Sequence, residues 1–146
     1  MTKLNDTQHF KAKEIIYSKT AEKNNIDNYP KDEEVICNLN YTLQRLNEIR
    51  EGFGSPIYIN SGYRCEELNT RVDGAKTSAH KSGYAMDIVP ANNKKVEFFE
   101  FMQEYLQDKE FDELLLEKSA KSMWIHFALK SSQGKQRRKI RTLQVQ

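Results

Sequence analysis

The chain has 146 residues, of which 38% are hydrophobic and 30% are charged, so it is long enough for one domain with a buried core. Its 23 lysine and arginine residues against 21 aspartate and glutamate residues give a net charge of +2, which excludes a strong electrostatic drive toward nucleic acid. The sequence has neither an apolar run of membrane-spanning length nor the apolar segment of a secretory signal. We therefore expect a protein that is cytoplasmic as synthesised and has no transmembrane segment.

The predicted elements begin with two helices. Residues 9–23 carry one modest apolar face and predict a single short helix. Residues 31–51 predict the longest helix of the chain, because Pro30 and acidic residues suit its first turn and apolar residues follow at helical spacing. Gly52 and Gly54 end this helix. Its apolar stripe is expected to face the core.

Short strands and one further helix follow. The apolar runs are bounded by turn residues, and the polar stretch 62–79 predicts a loop with one helical turn. The predicted strands cover 56–62, 84–89, 113–117 and 123–129, the helical turn covers 65–70, and the second long helix covers 94–107. This pattern indicates an α+β domain in which helices pack on a small antiparallel sheet.

Two further features bear on organisation and compartment. Cys37 and Cys65 form no CxxC motif, which excludes a thioredoxin-like motif and a cysteine-rich zinc site, and we expect both thiols to be reduced. Residues 133–146 are basic and poor in apolar residues, so they predict a C-terminal tail after one domain over 1–132. Two alternatives stay open for this tail, a solvated end and a contact with an anionic surface.

Three polar residues in unusual places predict a metal site. Asp87 lies in an otherwise apolar strand, where an unpaired carboxylate is costly. His80 ends the polar loop just before this strand, and His126 lies in another strand beside the single tryptophan. Two imidazoles and a carboxylate suit Zn²⁺ and leave its fourth position for water. The third histidine, His9, is expected on the surface.

The segment that contains these residues resembles a known peptidase family. Residues 60–89 read NSGYRCEELNTRVDGAKTSAHKSGYAMDIV and contain the SGYR and S-x-H-x(6)-D elements of the zinc D-Ala-D-Ala carboxypeptidase-like peptidases. Further on, FDELLLE at 111–117 resembles the family segment FDxLIxE, and WIH at 124–126 resembles its closing W-x-H. The resemblance covers nearly the whole chain except the basic tail. It implies a Hedgehog/DD-peptidase-like fold and a single zinc peptidase domain.

The resemblance also implies roles for individual residues. It makes His80, Asp87 and His126 the zinc ligands, the same three residues that the burial argument selects. It implies that Arg64 contacts the substrate or the developing oxyanion, with an ion pair to a neighbouring acid as the alternative. Ser78 is expected to bind substrate or to fix the histidine loop, and both alternatives remain open.

A peptidase of this kind needs a general base near the metal-bound water. Some branches of the larger family place a glutamate three residues before the last histidine, where this chain has Met123. The matching segment offers Glu117 instead, at the end of a short apolar run, and we predict that Glu117 is the base. Glu113 is the alternative.

The family resemblance implies a function. It predicts a zinc metallopeptidase, with Zn²⁺ as cofactor, that hydrolyses peptidoglycan stem peptides as a D,D-carboxypeptidase or endopeptidase, as phage-type lysins do. Its site of action would be the cell wall after release, and we expect a monomer. The alternative is a non-catalytic zinc-containing binding module of the same fold. Nucleic-acid binding rests on the basic tail alone and is not expected, since aromatic residues are not interleaved with its charges.

Overall fold

One five-stranded sheet and six helices make up the computed structural model, which describes residues 2–145. The helices are α1 (Ala12–Ile16), α2 (Lys19–Lys23), α3 (Glu33–Phe53), α4 (Glu66–Arg71), α5 (Ala79–Ser82) and α6 (Lys95–Tyr105). The strands are β1 (Ile57–Ser61), β2 (Ala85–Pro90), β3 (Glu113–Lys118), β4 (Met123–Ala128) and β5 (Lys139–Gln144). The predicted α+β class is confirmed. No helix among these residues is long and apolar enough to cross a bilayer.

The strands lie in the order β1-β2-β4-β3-β5. The pairs β1–β2, β2–β4 and β3–β4 are antiparallel, whereas β5 pairs parallel to β3. The sheet is therefore mixed, and the prediction of a wholly antiparallel sheet is wrong at this edge. The cause is that the C-terminal segment returns to the start of β3, where Arg138 and Lys139 donate backbone hydrogen bonds to Phe111 and Asp112, and then runs in the same direction as that strand.

Helix α3 forms as its sequence predicts. The Asp32 side chain accepts a hydrogen bond from the Glu34 backbone amide, and Gly54 ends the helix at a φ of 78°. Leu39, Leu43 and Leu46 are fully buried along one stripe. Each buried leucine contributes about 2 kcal/mol by leaving water, so α3 is held mainly by burying this stripe in the core that it shares with α6 and the central strands.

The predicted single helix over 9–23 is instead two short helices. Tyr17 and Ser18 are extended, and the Ser18 side chain accepts a hydrogen bond from the Ala21 amide at the start of α2. Serine hydroxyls favour this N-cap position over a helix interior, because the side chain competes for backbone amides. The chain therefore bends between the buried residues Ile15 and Ala21.

The two faces of the sheet have different neighbours. On one face, alternate residues of β2, β4 and β3 join a core cluster with α3 and α6: Met86, Ile88, Ile125, Phe127, Leu114 and Leu116. The residues between them point to the opposite face, and Asp87 and His126 are direct partners there. Because side chains alternate along a strand, burying the apolar set places these polar residues on the other face of the sheet.

The segment predicted as a basic tail is joined to the domain. Residues 139–144 form β5, and Arg137 just before it binds Asp112. Two guanidinium nitrogens of Arg137 lie 2.8 Å from the Asp112 carboxylate, whose residue is 1% exposed. The sequence does not predict this ion pair. A buried carboxylate needs a basic partner, but the run of basic residues does not indicate which of them pairs with Asp112.

Replacing Asp112 with Asn tests this buried ion pair. Burial raises the pKa of Asp112, but hydrogen bonds from Arg137 outweigh burial and hold that pKa below its usual value. The carboxylate therefore stabilises the fold above about pH 4, and this stabilisation is lost as the pH falls through the lower folded-state pKa. We expect Asp112→Asn to lower the free energy of unfolding by about 2 kcal/mol at pH 7, with a smaller difference in acid. Urea unfolding at several pH values measures this.

Asp108→Asn is the matched control, because Asp108 is exposed and its ion pair within residues 2–145 is with the adjacent Lys109. The Asp108→Asn variant should have the same free energy of unfolding as the wild type. An equal loss in both variants, or a loss for Asp112→Asn that does not change with pH, would contradict the assignment.

Candidate metal centre

His80 is held in a single helical turn. The Ser78 side chain caps α5 by accepting a hydrogen bond from the His80 backbone amide at 3.1 Å, and Gly83 ends α5 at a φ of 86°. The sequence predicts only a loop here, since a four-residue helix has no detectable period. The structure thus places Ser78 where it fixes the histidine turn, and its contact with substrate remains a prediction.

His80, Asp87 and His126 meet at one point on the sheet. The Asp87 Oδ1 atom lies 3.0 Å from His126 Nδ1 and 3.6 Å from His80 Nε2. One ligand atom from each residue lies within 4.8 Å of the other two. Ligands bound tetrahedrally to zinc at ordinary bond lengths stand about 3.4 Å apart, so these atoms suit a zinc ion with small adjustments. The three predicted ligand residues are therefore brought together.

The outer nitrogen of each imidazole faces an acceptor. His80 Nδ1 lies 2.8 Å from the Gly62 carbonyl oxygen, and His126 Nε2 lies 3.6 Å from Glu113 Oε1. A side chain at position 62 would not fit, because a Cβ there would lie 2.2 Å from the Ile15 carbonyl oxygen. Acceptors at these positions fix the tautomer that leaves His80 Nε2 and His126 Nδ1 for a metal.

The charges at the centre depend on one another. Burial raises the pKa of Asp87, but its hydrogen bonds with His126 and His80 outweigh burial and hold that pKa well below its usual value. Burial likewise lowers the pKa of His126, but contacts with Asp87 and Glu113 outweigh it and raise the pKa to about 10. A positive charge is thus strongly favoured beside Asp87. A divalent cation supplies that charge in place of a proton, which agrees with the donor set.

Arg64 lies at the edge of this centre. Its Nη2 is 3.9 Å from Asp87 Oδ2, and its Nη1 donates to Asn69 Oδ1 at 3.0 Å. Burial lowers the pKa of Arg64 and the charges of Asp87 and Glu117 oppose this. The alternative considered from the sequence is an ion pair with Glu66 or Glu67, whereas the acid that Arg64 approaches in the structure is Asp87.

Asn69 is a positioning residue to which the sequence assigned no role. Its side chain accepts from Arg64 and donates to the Ala75 carbonyl at 2.9 Å, which ties the arginine to the loop after α4. Gly74 permits this contact, because a Cβ there would lie 2.1 Å from Asn69 Oδ1 and 2.7 Å from Arg64 Nη1. Asn69 and Gly74 both lie in the motif segment 60–89, but only the tertiary contacts show what they do.

Glu113 and Glu117 lie on the same face of β3 as the metal centre. Leu115 is the partner of His126, and the two glutamates flank it at alternate positions along the strand. Glu113 contacts the outer nitrogen of His126. Glu117 is the partner of Trp124, and its pKa is raised, mainly by burial and also by Asp87, although His126 and His80 oppose the rise. The two carboxylates therefore have different surroundings.

A cleft between the start of α2 and β1 reaches Arg64 but is not lined by the three candidate ligands. Its volume is about 260 Å³, and its lining includes Asn60, Ser61, Tyr63 and Arg64. A larger cavity, about 590 Å³, lies between α1, α2 and β1, away from the three candidate ligands. The cleft gives a bound chain access to the guanidinium of Arg64.

A comparison with protein families identifies the chain. A family model described as Peptidase M15 matches residues 8–128, which is most of the chain. The chain belongs to the peptidase M15 family. This family is the zinc D-Ala-D-Ala carboxypeptidase-like one, so the predicted family is confirmed and a zinc-dependent metallopeptidase is supported. No curated protein matches the chain at a significant level.

All three candidate ligands of this M15 peptidase lie inside the matched residues, as do Arg64, Ser78 and Glu117. Strand β5 and Arg137 lie beyond them. The family match therefore says nothing of the role of β5, which has to be inferred from its contacts in this chain.

Single alanine variants of the ligands test the metal centre. We expect His80→Ala, Asp87→Ala and His126→Ala each to lose bound zinc, because three protein ligands are the fewest that typical catalytic zinc sites use. The loss of affinity should exceed the roughly 10–100-fold that changes to outer-shell partners cost. Metal analysis after gel filtration, with titration of Zn²⁺ into metal-free protein, measures this.

His9→Ala serves as the matched histidine control. His9 pairs with Glu51 at the surface, away from the three ligands, and its variant should bind zinc like the wild type. Zinc retention by any of the three ligand variants would remove that residue from the site.

Proposed function

We propose that this M15 peptidase is a zinc-dependent hydrolase of peptide bonds in bacterial peptidoglycan stem peptides, acting at the cell wall. The observation that carries the proposal is the cluster of His80, Asp87 and His126 on the sheet face that also holds Glu117. Family membership supports the reaction class. The cleft that Arg64 lines supports a substrate group that reaches this guanidinium.

The three ligand residues would hold Zn²⁺, which supplies a Lewis acid for the scissile carbonyl and an acidified water. Glu117 is proposed to accept a proton from the attacking water and to return it to the departing amine. Burial raises the pKa of Glu117, and a base whose pKa lies closer to neutrality is better suited to both transfers. The neighbouring strands β3 and β4 hold Glu117 and His126 in fixed register.

Arg64 is proposed to bind the substrate where negative charge is present or develops. Its guanidinium is oriented by Asn69 and lies at the cleft, so its donors need little reorganisation during the reaction. A guanidinium suits either a carboxylate of the peptide or a tetrahedral oxyanion, because its planar donors match two oxygens. Ser78 is proposed to support this side of the centre by holding the His80 turn and by contacting substrate.

Glu117→Gln tests the assignment of the base. The amide keeps the shape of the side chain but cannot accept the proton, so turnover should fall about 10²–10⁴-fold with zinc content unchanged. Glu110→Gln is the control, since Glu110 is an exposed acid just before β3. Release of peptide fragments and bound zinc are measured on the same samples. Full turnover by Glu117→Gln would move the base to another residue.

Digestion of purified peptidoglycan tests the function itself. Zinc-loaded protein should release new fragments, detected by mass spectrometry, and a chelator should abolish their release. Loss of a terminal D-alanine would indicate a carboxypeptidase, and separation of whole stem peptides would indicate an endopeptidase. An unchanged digest from protein that retains zinc would instead support the non-catalytic binding module.

A further inference from the structure

A line of contacts runs from the C-terminal segment to a proposed metal ligand. Arg137 precedes β5, and its Nη2 lies 3.8 Å from Glu113 Oε2. The other carboxylate oxygen of Glu113, Oε1, lies 3.6 Å from His126 Nε2. On its inner side, His126 Nδ1 faces Asp87. Glu113 is therefore placed between the guanidinium of Arg137 and the outer edge of the imidazole of His126.

Arg137 is itself firmly anchored. Its Nε and Nη2 each lie 2.8 Å from the carboxylate of Asp112, and its backbone amide donates to the same carboxylate at 3.1 Å. The Asp112 side chain is 1% exposed, whereas the Arg137 side chain is 39% exposed. A bidentate arginine has little orientational freedom. The anchor therefore holds the edge of the guanidinium close to Glu113.

The imidazole of His126 needs a partner of this kind. Metal binding through Nδ1 requires that the ring proton sits on Nε2, and an acceptor at Nε2 fixes both this tautomer and the ring plane. Glu113 is the carboxylate that faces Nε2, and its side chain is 27% exposed. A partly exposed glutamate has other rotamers available, so a cation on its far oxygen favours the one that reaches the histidine.

We propose that Glu113 and Arg137 are positioning residues of the zinc centre, in which Glu113 orients His126 and Arg137 holds Glu113 in place. This inference rests on the zinc centre of the proposed function and extends it beyond residues 8–128 of the family match. It gives the C-terminal segment a role in metal binding. It also gives Glu113 a task different from that of the general base.

Zinc affinity measures this role without any peptidase assay. The dissociation constant for Zn²⁺ alone is obtained by competition with a chromogenic chelator, using full-length metal-free protein. We expect Glu113→Ala to weaken zinc binding about 10–100-fold. Glu113→Gln should restore most of the affinity, because its amide oxygen can still act as an acceptor facing Nε2–H. Arg137→Met should weaken binding in the same direction and by less than Glu113→Ala.

Two control variants match the changes in charge. Glu110→Ala removes an exposed carboxylate just before β3, and Arg141→Met removes an exposed cation of β5. Both should bind zinc like the wild type. The thermal midpoint of each metal-free variant shows whether it is folded at the assay temperature, which matters most for Arg137→Met because it also frees Asp112.

A double variant and a spectroscopic signal separate positioning from a general structural effect. If Arg137 acts through Glu113, then Glu113→Ala/Arg137→Met binds zinc as Glu113→Ala alone does. In zinc-loaded wild type, ¹⁵N–¹H spectra should show a slowly exchanging His126 Nε2–H proton, and Glu113→Ala should lose that signal. Additive losses in the double variant would overturn the role of Arg137.

Failure of this inference is distinct from failure of the proposed function. Wild-type protein that binds zinc and cleaves peptidoglycan, together with a Glu113→Ala variant of equal zinc affinity, would overturn the inference alone. Wild-type protein that retains no zinc would overturn the zinc peptidase and this inference with it.

Discussion

A carboxylate set into an apolar strand constrains the whole structure. Asp87 is held between the hydrophobic residues Met86 and Ile88, both fully buried on the core side. Removing an ionised carboxylate from water is costly unless positive or hydrogen-bonding groups surround it. His80, His126 and Arg64 do so here, and each reaches Asp87 from a different part of the chain. The pairing of β2 with β4 and the position of the α5 turn satisfy this requirement.

The sheet satisfies this requirement because its two faces are used differently. Helices α3 and α6 join the core cluster with one face, which buries the apolar residues of the central strands. The polar residues between them point to the other face. The metal centre thus rests on strands that the core holds rigid, while the cleft beside Arg64 leaves room for a chain to approach. A site on rigid elements holds its side chains in a more precise geometry than a site on loops.

Asp112, just before β3, is a second buried carboxylate that needs a positive partner. It is as deeply buried as the core leucines, and it obtains its positive partner from Arg137 in the C-terminal segment. That pairing brings β5 beside β3 in the parallel direction. One consequence of this pairing is structural, because it makes the basic residues of the C-terminal segment part of the domain. The other concerns chemistry, since the same guanidinium lies near Glu113, which contacts a candidate zinc ligand.

Much of this could be read from the order of residues. Helical and strand periods predicted α3, α6 and the first four strands, because these elements bury a face whose spacing is visible locally. A costly carboxylate in an apolar strand, with two histidines nearby in the pattern, predicted the residues that the structure brings together. The break at Ser18 and the α5 turn were missed, because side-chain caps rather than periods decide them.

What the sequence determined by itself was α3, α6, the first four strands, the family and the candidate ligands. The tertiary structure decided that Glu113 faces the outer nitrogen of His126, that Asn69 orients Arg64, and that residues 139–144 complete the sheet. Several of these contacts are between residues that are far apart in the chain. The alternation of side chains along a strand alone would allow several polar residues to make each contact. Only the register of paired strands and the burial of charge select among them, and both are properties of the packed molecule.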